Sequence, residues 1–321
     1  MKNKILTIIS KLDLIILPLT FLSSLILFTI RLVGIERMPY SRRVFEFVGV
    51  FPIIDHYYEP LFKTRGLNPM DFKRSLPGIE MNVKGQLELL TKFTFQDEIR
   101  EIRNSKFVKG NQYTFENDSF KSGDADFLYS IVRYFKPRKI LEVGSGASTL
   151  IVNNALLKNE LENSAYKCNH MCIEPYEAPW LEQLGVSVVR KRVEDINREL
   201  FFSLEAGDIL FIDSSHMIRP QGDVLLLYLE IIPSLRPGVL IHLHDIFTPR
   251  DYLETWIKDK VRFWNEQYLL EALLTQNTSL EVIGALNFLK HNYTKEICHA
   301  CPILEQELPT REPGSFWLLK K

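Results

Sequence analysis

"KILEVGSGASTL", Lys139 to Leu150, is the stretch that decides the fold. "KILEV" is a short apolar run of strand type, and it stops on Gly144 and Gly146, which permit a tight turn and a close approach of backbone to a ligand. A helical stretch, Thr149 to Lys158, follows directly. Upstream, "DADFLYSIVRYF" carries apolar residues at helical spacing behind a capping Asp124, and "KPRK" ends that helix.

Working outward, the same alternation repeats. Strands are expected at His170 to Glu174, Val186 to Arg190, Asp208 to Asp213 and Val239 to His244, with helical stretches at Pro179 to Leu184, Ile196 to Ser203 and Asp223 to Ile232. Short, nearly continuous apolar strands separated by helices require a parallel sheet covered on both faces. The tail differs: a helix from Trp264 to Gln276 leads to a strand from Leu280 to Leu289, a long Pro-containing loop and a closing strand in "SFWLLKK", Ser315 to Lys321. Two strands in a row without a helix imply an antiparallel hairpin. The expected fold is α/β, a doubly wound seven-stranded sheet, mostly parallel with a C-terminal antiparallel hairpin, plus an N-terminal membrane-anchor helix. The sixth strand of a dinucleotide-binding Rossmann sheet is parallel instead.

Composition narrows the function classes. Charged residues make up 25% and the formal net charge is −1, so no basic stripe points to nucleic acid. The four cysteines form two local pairs, "CNHMC" and "CHAC", but a shared zinc site fails on topology. Cys168 opens a strand at its amino end, whereas Cys298 and Cys301 fall in the loop expected at the carboxyl edge, where "CHAC" would shape a lid on the acceptor side. So few cysteines suit a reducing compartment.

Leu14 to Ile30 carries no charge and lies between Lys2, Lys4 and Lys11 on one side and Arg31, Arg37, Arg42 and Arg43 on the other. It reads as an uncleaved anchor, with the aromatic stretch Phe45 to Phe62 lying in the membrane interface. The expected organisation is an anchor and interfacial segment at 1–62, a helical and irregular lead-in at 63–123, and a Rossmann-like catalytic domain at 124–321.

Ligands of open α/β sheets bind beyond the carboxyl ends of the strands. Those ends hold the Gly144 and Gly146 turn, then Glu174, then Val193, Glu194 and Asp195, then Asp213, and finally His244 and Asp245. A dinucleotide site wants Gly or Ala at the third fingerprint position, which here is Thr149. Glu174, ending the second strand, suits the two hydroxyls of a ribose, a feature shared by nicotinamide and adenosyl cofactors.

With these residues in view, the chain resembles the class I S-adenosylmethionine-dependent methyltransferases, in particular a bacterial methyltransferase domain 24 type. "KPRKILEVGSGASTL", "CIEPY", "DILFIDSSH", "LRPGVLIHLHDIF", "WNEQYLLEALL" and "GSFWLL" carry the likeness from about Gly78 to the C-terminus. It implies that Gly144, Ser145 and Gly146 hold the methionyl part of the cofactor, Glu174 the ribose, and Val193 and Glu194 the adenine edge, with Glu142 and Asp213 completing the cofactor set. At the fourth strand the sequence is similar to catechol O-methyltransferases, where an acid is followed three positions later by a general base. Here those residues are Asp213 and His216. The likeness further implies a divalent metal on Asp213, His244 and Asp245, although His244 stands where an acid is usual. A nitrogen ligand suits manganese, iron or zinc better than magnesium.

Plainer readings stand beside these. Asp213 can cap its turn through the Ser215 or His216 amides, His242 reads as a hydrogen-bonded core residue, and Asp245 can cap a helix. His56, His170, His291 and His299 have no partner visible in sequence. The expectation is an S-adenosylmethionine-dependent O-methyltransferase acting on a small molecule, sugar or lipid-linked acceptor, with His216 as base ahead of a metal. Its catalytic domain would face the cytoplasm, where the cofactor is made. The alternatives are a non-catalytic adenosine-ligand-binding or scaffold protein at the membrane and an NAD-dependent oxidoreductase.

Overall fold

Seven strands form one sheet in the order β3-β2-β1-β4-β5-β7-β6: β1 (Lys139–Val143), β2 (Asn169–Ile173), β3 (Ser187–Val189), β4 (Ile209–Ile212), β5 (Leu240–Leu243), β6 (Leu280–Ala285) and β7 (Phe316–Lys320). The first five pair in parallel, and β7 inserts antiparallel between β5 and β6. Chain direction therefore reverses where the sequence predicts a terminal hairpin. The computed structural model describes residues 6–7, 9–69, 71–105, 112–176 and 178–321. It divides into two units, Met1–Leu67 and Asn68–Lys321.

The first unit holds α1 (Asp13–Val33) and α2 (Pro39–Val48). No residue of either helix is buried. α1 is long and apolar enough to cross a membrane, by length and composition.

In the second unit α3 (Val83–Leu90), α4 (Gln96–Asn104) and α5 (Asp124–Phe135) precede the sheet, and α6 (Ala147–Glu162) follows β1. Residues before Asp124 are built into this core. Gln86 accepts the Ala285 N–H at 2.7 Å, and Phe93 and Phe120 are 2% exposed. Arg133 is 1% exposed and binds Glu98 at 2.9 Å together with Glu162, which fastens α4, α5 and α6 to one another. A buried guanidinium is tolerable only when paired in this way.

Alternation along the strands supplies both faces. Ile209, Phe211 and Leu240 enter the apolar cluster under α5 and α6, while Leu210, Ile212, Ile241 and Leu243 enter the opposite one. Trp317 of β7 is fully buried in the first cluster, its ring 4.8 Å from that of His242. His242 stacks on Phe211 at 3.9 Å and bonds Ser315 at 2.9 Å, and burial lowers its pKa well below the ordinary imidazole value. It is the core residue that the sequence implies.

Two expectations are corrected. The strand predicted through Leu289 stops at Ala285, and the predicted loop is mostly helical: α7 (Glu266–Leu274) precedes β6, and α8 (Leu286–Asn292), α9 (Thr294–Ala300) and α10 (Pro302–Glu307) follow it. Leu286 and Leu289, three residues apart, share one buried helical face, which overrides the strand-like alternation. "CHAC" consequently lies on α9 and at its end, with Cys298 and Cys301 buried in the core, not in a lid. Secondly, Asp126 caps α5 by accepting the Gly123 N–H at 2.9 Å. Asp124 instead turns to the returning chain, accepting from the amides of Gly314 at 2.9 Å and Ser315 at 2.7 Å.

Truncating the indole that joins the reversed strand to α5 leaves a large cavity. Trp317→Ala should cost about 3–5 kcal/mol of unfolding free energy, read from urea denaturation as a lower midpoint at unchanged slope.

Candidate active site

The amide after each strand donates to the last carbonyl of the strand beside it: Glu174 to Val189 at 3.2 Å, Gly144 to Ile173 at 3.0 Å, Asp213 to Val143 at 2.9 Å and His244 to Ile212 at 3.0 Å. The four residues are therefore level along one rim, on either side of the point between β1 and β4 where strand order reverses. A cavity of about 600 Å³ opens there, lined by Gly144, Ser145, Gly146, Glu174, Val193, Glu194 and Asp213 among others. Gly144 has φ +79°. A Cβ there would stand 1.9 Å from the Asp213 carbonyl oxygen, so no other residue fits. Glu174 is aimed by accepting the Ser145 N–H at 3.3 Å and the Tyr176 N–H at 2.9 Å.

Glu142 does not reach the cavity, which corrects its place in the cofactor set. It is 1% exposed and accepts from the hydroxyls of Ser148 and Thr149, the latter at 2.9 Å, with His170 Nε2 at 3.0 Å and the Cys172 thiol at 3.6 Å. Thr149 Oγ1 in turn accepts the Gly146 N–H at 3.2 Å. Glu142 thus acts through the first turn of α6, fixing the glycine loop from beneath. The same bonds explain why Thr149 is unsuited to a dinucleotide, since the Gly146 amide that a pyrophosphate needs is already taken and an acid lies below it.

Beside the cavity the acids and imidazoles of β4 and β5 interleave. His216 Nε2 lies 3.3 Å from Asp213 and 3.5 Å from Asp245, and its Nδ1 is 2.7 Å from Glu266. His244 Nδ1 is 3.4 Å from Asp213 and 3.5 Å from Asp245, while its Nε2 faces Asp124 at 3.8 Å. Asp213 does not cap its own turn. Asp223 does so, accepting the Ser215 N–H at 2.8 Å and the Ser215 hydroxyl at 2.7 Å, which leaves Asp213 to the imidazoles. Asp245 caps no helix; it holds φ +58°, pressed against Gly314.

Burial alone would strip both imidazoles of their protons. For His216 the hydrogen bonds to Asp213 and Glu266 overcome that and push its pKa up to about 10. His244 is likewise held well above the ordinary value, against burial, by the charges of Asp245 and Asp213. Burial also opposes ionisation of Asp213, but His244 and His216 hold its carboxyl far below the usual range.

Three residues missed in the sequence hold His216 in place. The amides of Asn265 and Glu266 donate to the His216 carbonyl at 3.1 and 3.3 Å, and Asn265 Oδ1 accepts the Ile218 N–H at 2.6 Å. The Trp264 ring lies 4.3 Å from the imidazole. Together they keep His216 at φ +58°, a conformation costly for a side-chain residue. "WNE" reads only as a helix start, and nothing local ties Glu266 to a residue fifty positions earlier. Asp124 and Phe120, whose ring is 5.0 Å from His244, were missed for the same reason.

Asp213, His216 and Asp245 offer donor atoms all within 4.8 Å of one another, a set that fits a divalent cation. The ligand set expected from sequence therefore changes: His216 joins it, and His244 meets the same carboxylates while also facing Asp124. Of the histidines without a partner in sequence, His170 meets Glu142, and His291 meets Glu312 at 2.8 Å.

Residues 141–246 match the model of a family described as a methyltransferase domain. No curated protein matches the chain. Among solved structures, an O-methyltransferase from Bacillus cereus in complex with SAH aligns over 73% of this chain and 91% of its own, at 13% identity and a TM-score of 0.37. A Plasmodium falciparum structure described as a protein-L-isoaspartate O-methyltransferase, with S-adenosyl-L-homocysteine, aligns over 50% of this chain and 83% of its own, at 12% identity and a TM-score of 0.27.

Because the folded-state pKa of His216 is raised from 6.5 to about 10, the stability it contributes is complete below pH 6.5 and is lost as pH rises through 10. In chelator-treated protein the denaturation midpoint should fall across that window. Glu266→Gln, which removes one of the carboxylates that hold the proton, should move the fall to lower pH. A midpoint flat from pH 6.5 to 10 would contradict this charge assignment.

Proposed function

We propose that this chain, a class I S-adenosylmethionine-dependent methyltransferase, transfers the methyl group to an oxygen of a small-molecule, sugar or lipid-linked acceptor. The observation that carries the reading is one continuous cavity that runs from Glu174 and the Gly144–Gly146 loop to Asp213. It joins a place for a nucleoside to Asp213, whose carboxylate meets both imidazoles beside the cavity. Methyl transfer needs both a cofactor site and a proton acceptor, since the nucleophile must be deprotonated and held in line with the sulfonium.

In this proposal Glu174 takes the ribose hydroxyls, Val193 and Glu194 border the adenine, and Gly144, Ser145 and Gly146 bring backbone against the methionyl part. His216 is the proton acceptor. It can serve only after losing the proton that Asp213, Asp245 and Glu266 hold on it. In the ion-free enzyme the base is thus available at alkaline pH. A divalent cation held by Asp213 and Asp245 would supply the positive charge otherwise carried by the imidazoles and lower the pKa of a bound hydroxyl. If His216 itself ligates the ion it cannot also be the base, and the proton acceptor is then a different group.

The apolar α1 supports a membrane location, and we place the catalytic unit on the cytoplasmic side because the cofactor is made there. An acceptor at the membrane, such as a lipid-linked sugar, follows from that location.

Calorimetric titration with S-adenosylhomocysteine tests the cofactor site. Glu174→Ala should weaken binding about tenfold or more, as expected for losing hydrogen bonds to a charged group. Gly144→Ala should abolish it. Unchanged binding in both variants would remove the assignment.

The chemistry is tested by labelled-methyl transfer into membrane extract, with and without chelator. In chelator the rate should climb with pH from 7 towards 10 and be lost in His216→Ala and Asp213→Asn. Cofactor binding without transfer at any pH, with or without metal, would favour the non-catalytic binding protein.

A further inference from the structure

α1 spans about 31 Å at 1.5 Å per residue, close to the hydrocarbon thickness of a bilayer. Three of its hydroxyls are satisfied within the helix: those of Thr20, Ser24 and Thr29 donate to the carbonyls one turn back, at Ile16, Thr20 and Leu25. Arg31, in the last turn, carries a charge that is neutralised within the same unit. Its guanidinium is ion-paired with Glu59 and lies 4.9 Å from the centre of the Phe51 ring, leaving the side chain only 14% exposed. A neutralised, stacked arginine lets the apolar span continue to Val33.

That pair has a topological consequence. The chain leaves α1 at Gly34, turns through Ile35–Arg37, forms α2, and returns so that Glu59 meets the turn it left. Both ends of the excursion are pinned at one end of the spanning helix. α2 begins six residues after Val33, at most about 20 Å of chain even if fully extended. The segment is therefore held near the interfacial layer.

Its surface matches that layer. At helical spacing, Tyr40, Val44, Phe47 and Val48 form one face of α2, 80, 57, 90 and 61% exposed, with Arg42 and Glu46 on the other and Arg43 at the border between them. Tyr57 and Tyr58, 91 and 86% exposed, add amphipathic rings of the kind enriched at headgroup level.

We propose that residues 35–62 form a collar in the plane of the membrane, with the Tyr40, Val44, Phe47 and Val48 face of α2 inserted at the boundary between headgroups and acyl chains. The partner is a phospholipid bilayer surface, and lipid charge is secondary. Arg42 and Lys63 are paired with Glu46 and Asp55 of the same segment at 2.8 and 2.7 Å, so apolar burial supplies the attachment. The inference rests on the proposal that α1 crosses a membrane.

The full chain is reconstituted in phosphatidylcholine vesicles, and tryptophan is introduced singly as Phe47→Trp and Leu22→Trp. Both sites are exposed, so folding is not at issue, and the native tryptophans of the catalytic unit give the baseline. Phosphatidylcholine brominated near the top of the acyl chain should quench Phe47→Trp at least twofold more than lipid brominated deep in the chain, with the order reversed for Leu22→Trp. No lipid quenching of Phe47→Trp, which would mean water or protein covers that face, or deeper quenching of it, overturns the collar. If Leu22→Trp is quenched in that case, the spanning helix stands. If neither responds, both readings fall.

Discussion

Everything at the site depends on the register of the parallel ladder. Side chains alternate across a sheet, so shifting β4 by one residue against β1 would present an apolar residue to the cavity and turn Asp213 towards the core. The register observed pairs Val143 with Ile212 and Ile212 with Leu243. It is enforced by burial: every residue of β4 and β5 is buried, each packed on a different face from its neighbours. Apolar packing inside the sheet thereby places polar chemistry at its edge, and the turn after each strand need only hold what arrives there. Gly144 does this by lacking a side chain where the Asp213 carbonyl passes.

The acids of "DAD" extend the same constraint to the far end of the chain. Asp124 binds the Gly314 and Ser315 amides and Arg311, and Asp126 accepts the Ile303 N–H at 2.8 Å, so the helical return from β6 to β7 is fastened to α5. Gly314 then passes close against Asp245. One buried carboxylate connects the reversed strand to the rim of the candidate site, and the charge on Asp124 reaches that rim through His244. Such carboxylates are tolerable at this depth because backbone amides and imidazolium protons surround them.

Most of this sheet, and the rim residues of the candidate site, are legible in the sequence pattern. Strand runs such as "KILEV" and "DILFID" are legible because parallel strands bury both faces, and the rim residues Glu174, Asp213 and His244 follow from where those runs stop. Glu142 was misplaced because it belongs to β1, where alternation turns it away from the cavity onto Ser148, Thr149 and His170. Glu266, Asn265 and Trp264 were invisible as site residues because their role is a contact across the fold, with no local period or spacing to announce it. The helices after β6 were missed because "LNFLKHN" satisfies strand and helix patterns alike, and only burial of Leu286 and Leu289 together decides between them.

The cavity's charge also bears on which ligand it can hold. Glu174, Glu194, Asp213 and Asp223 line it, against Arg192 and Arg219, and no lysine is among the lining residues described. Both arginines are engaged, Arg192 by Glu194 and Arg219 by Asp223 at 3.7 Å. Beneath the glycine loop Glu142 adds a carboxylate where a phosphate-binding site would present free amides. A ligand with a pyrophosphate would meet repulsion from several acids and find few unpaired donors. One that carries a positive centre between a nucleoside and an amino acid is attracted, most strongly where the solvent is thinnest. The Gly144–Gly146 turn looks alike in the two kinds of site. What separates them is the charge beneath and around that turn, and here it favours a cationic sulfur.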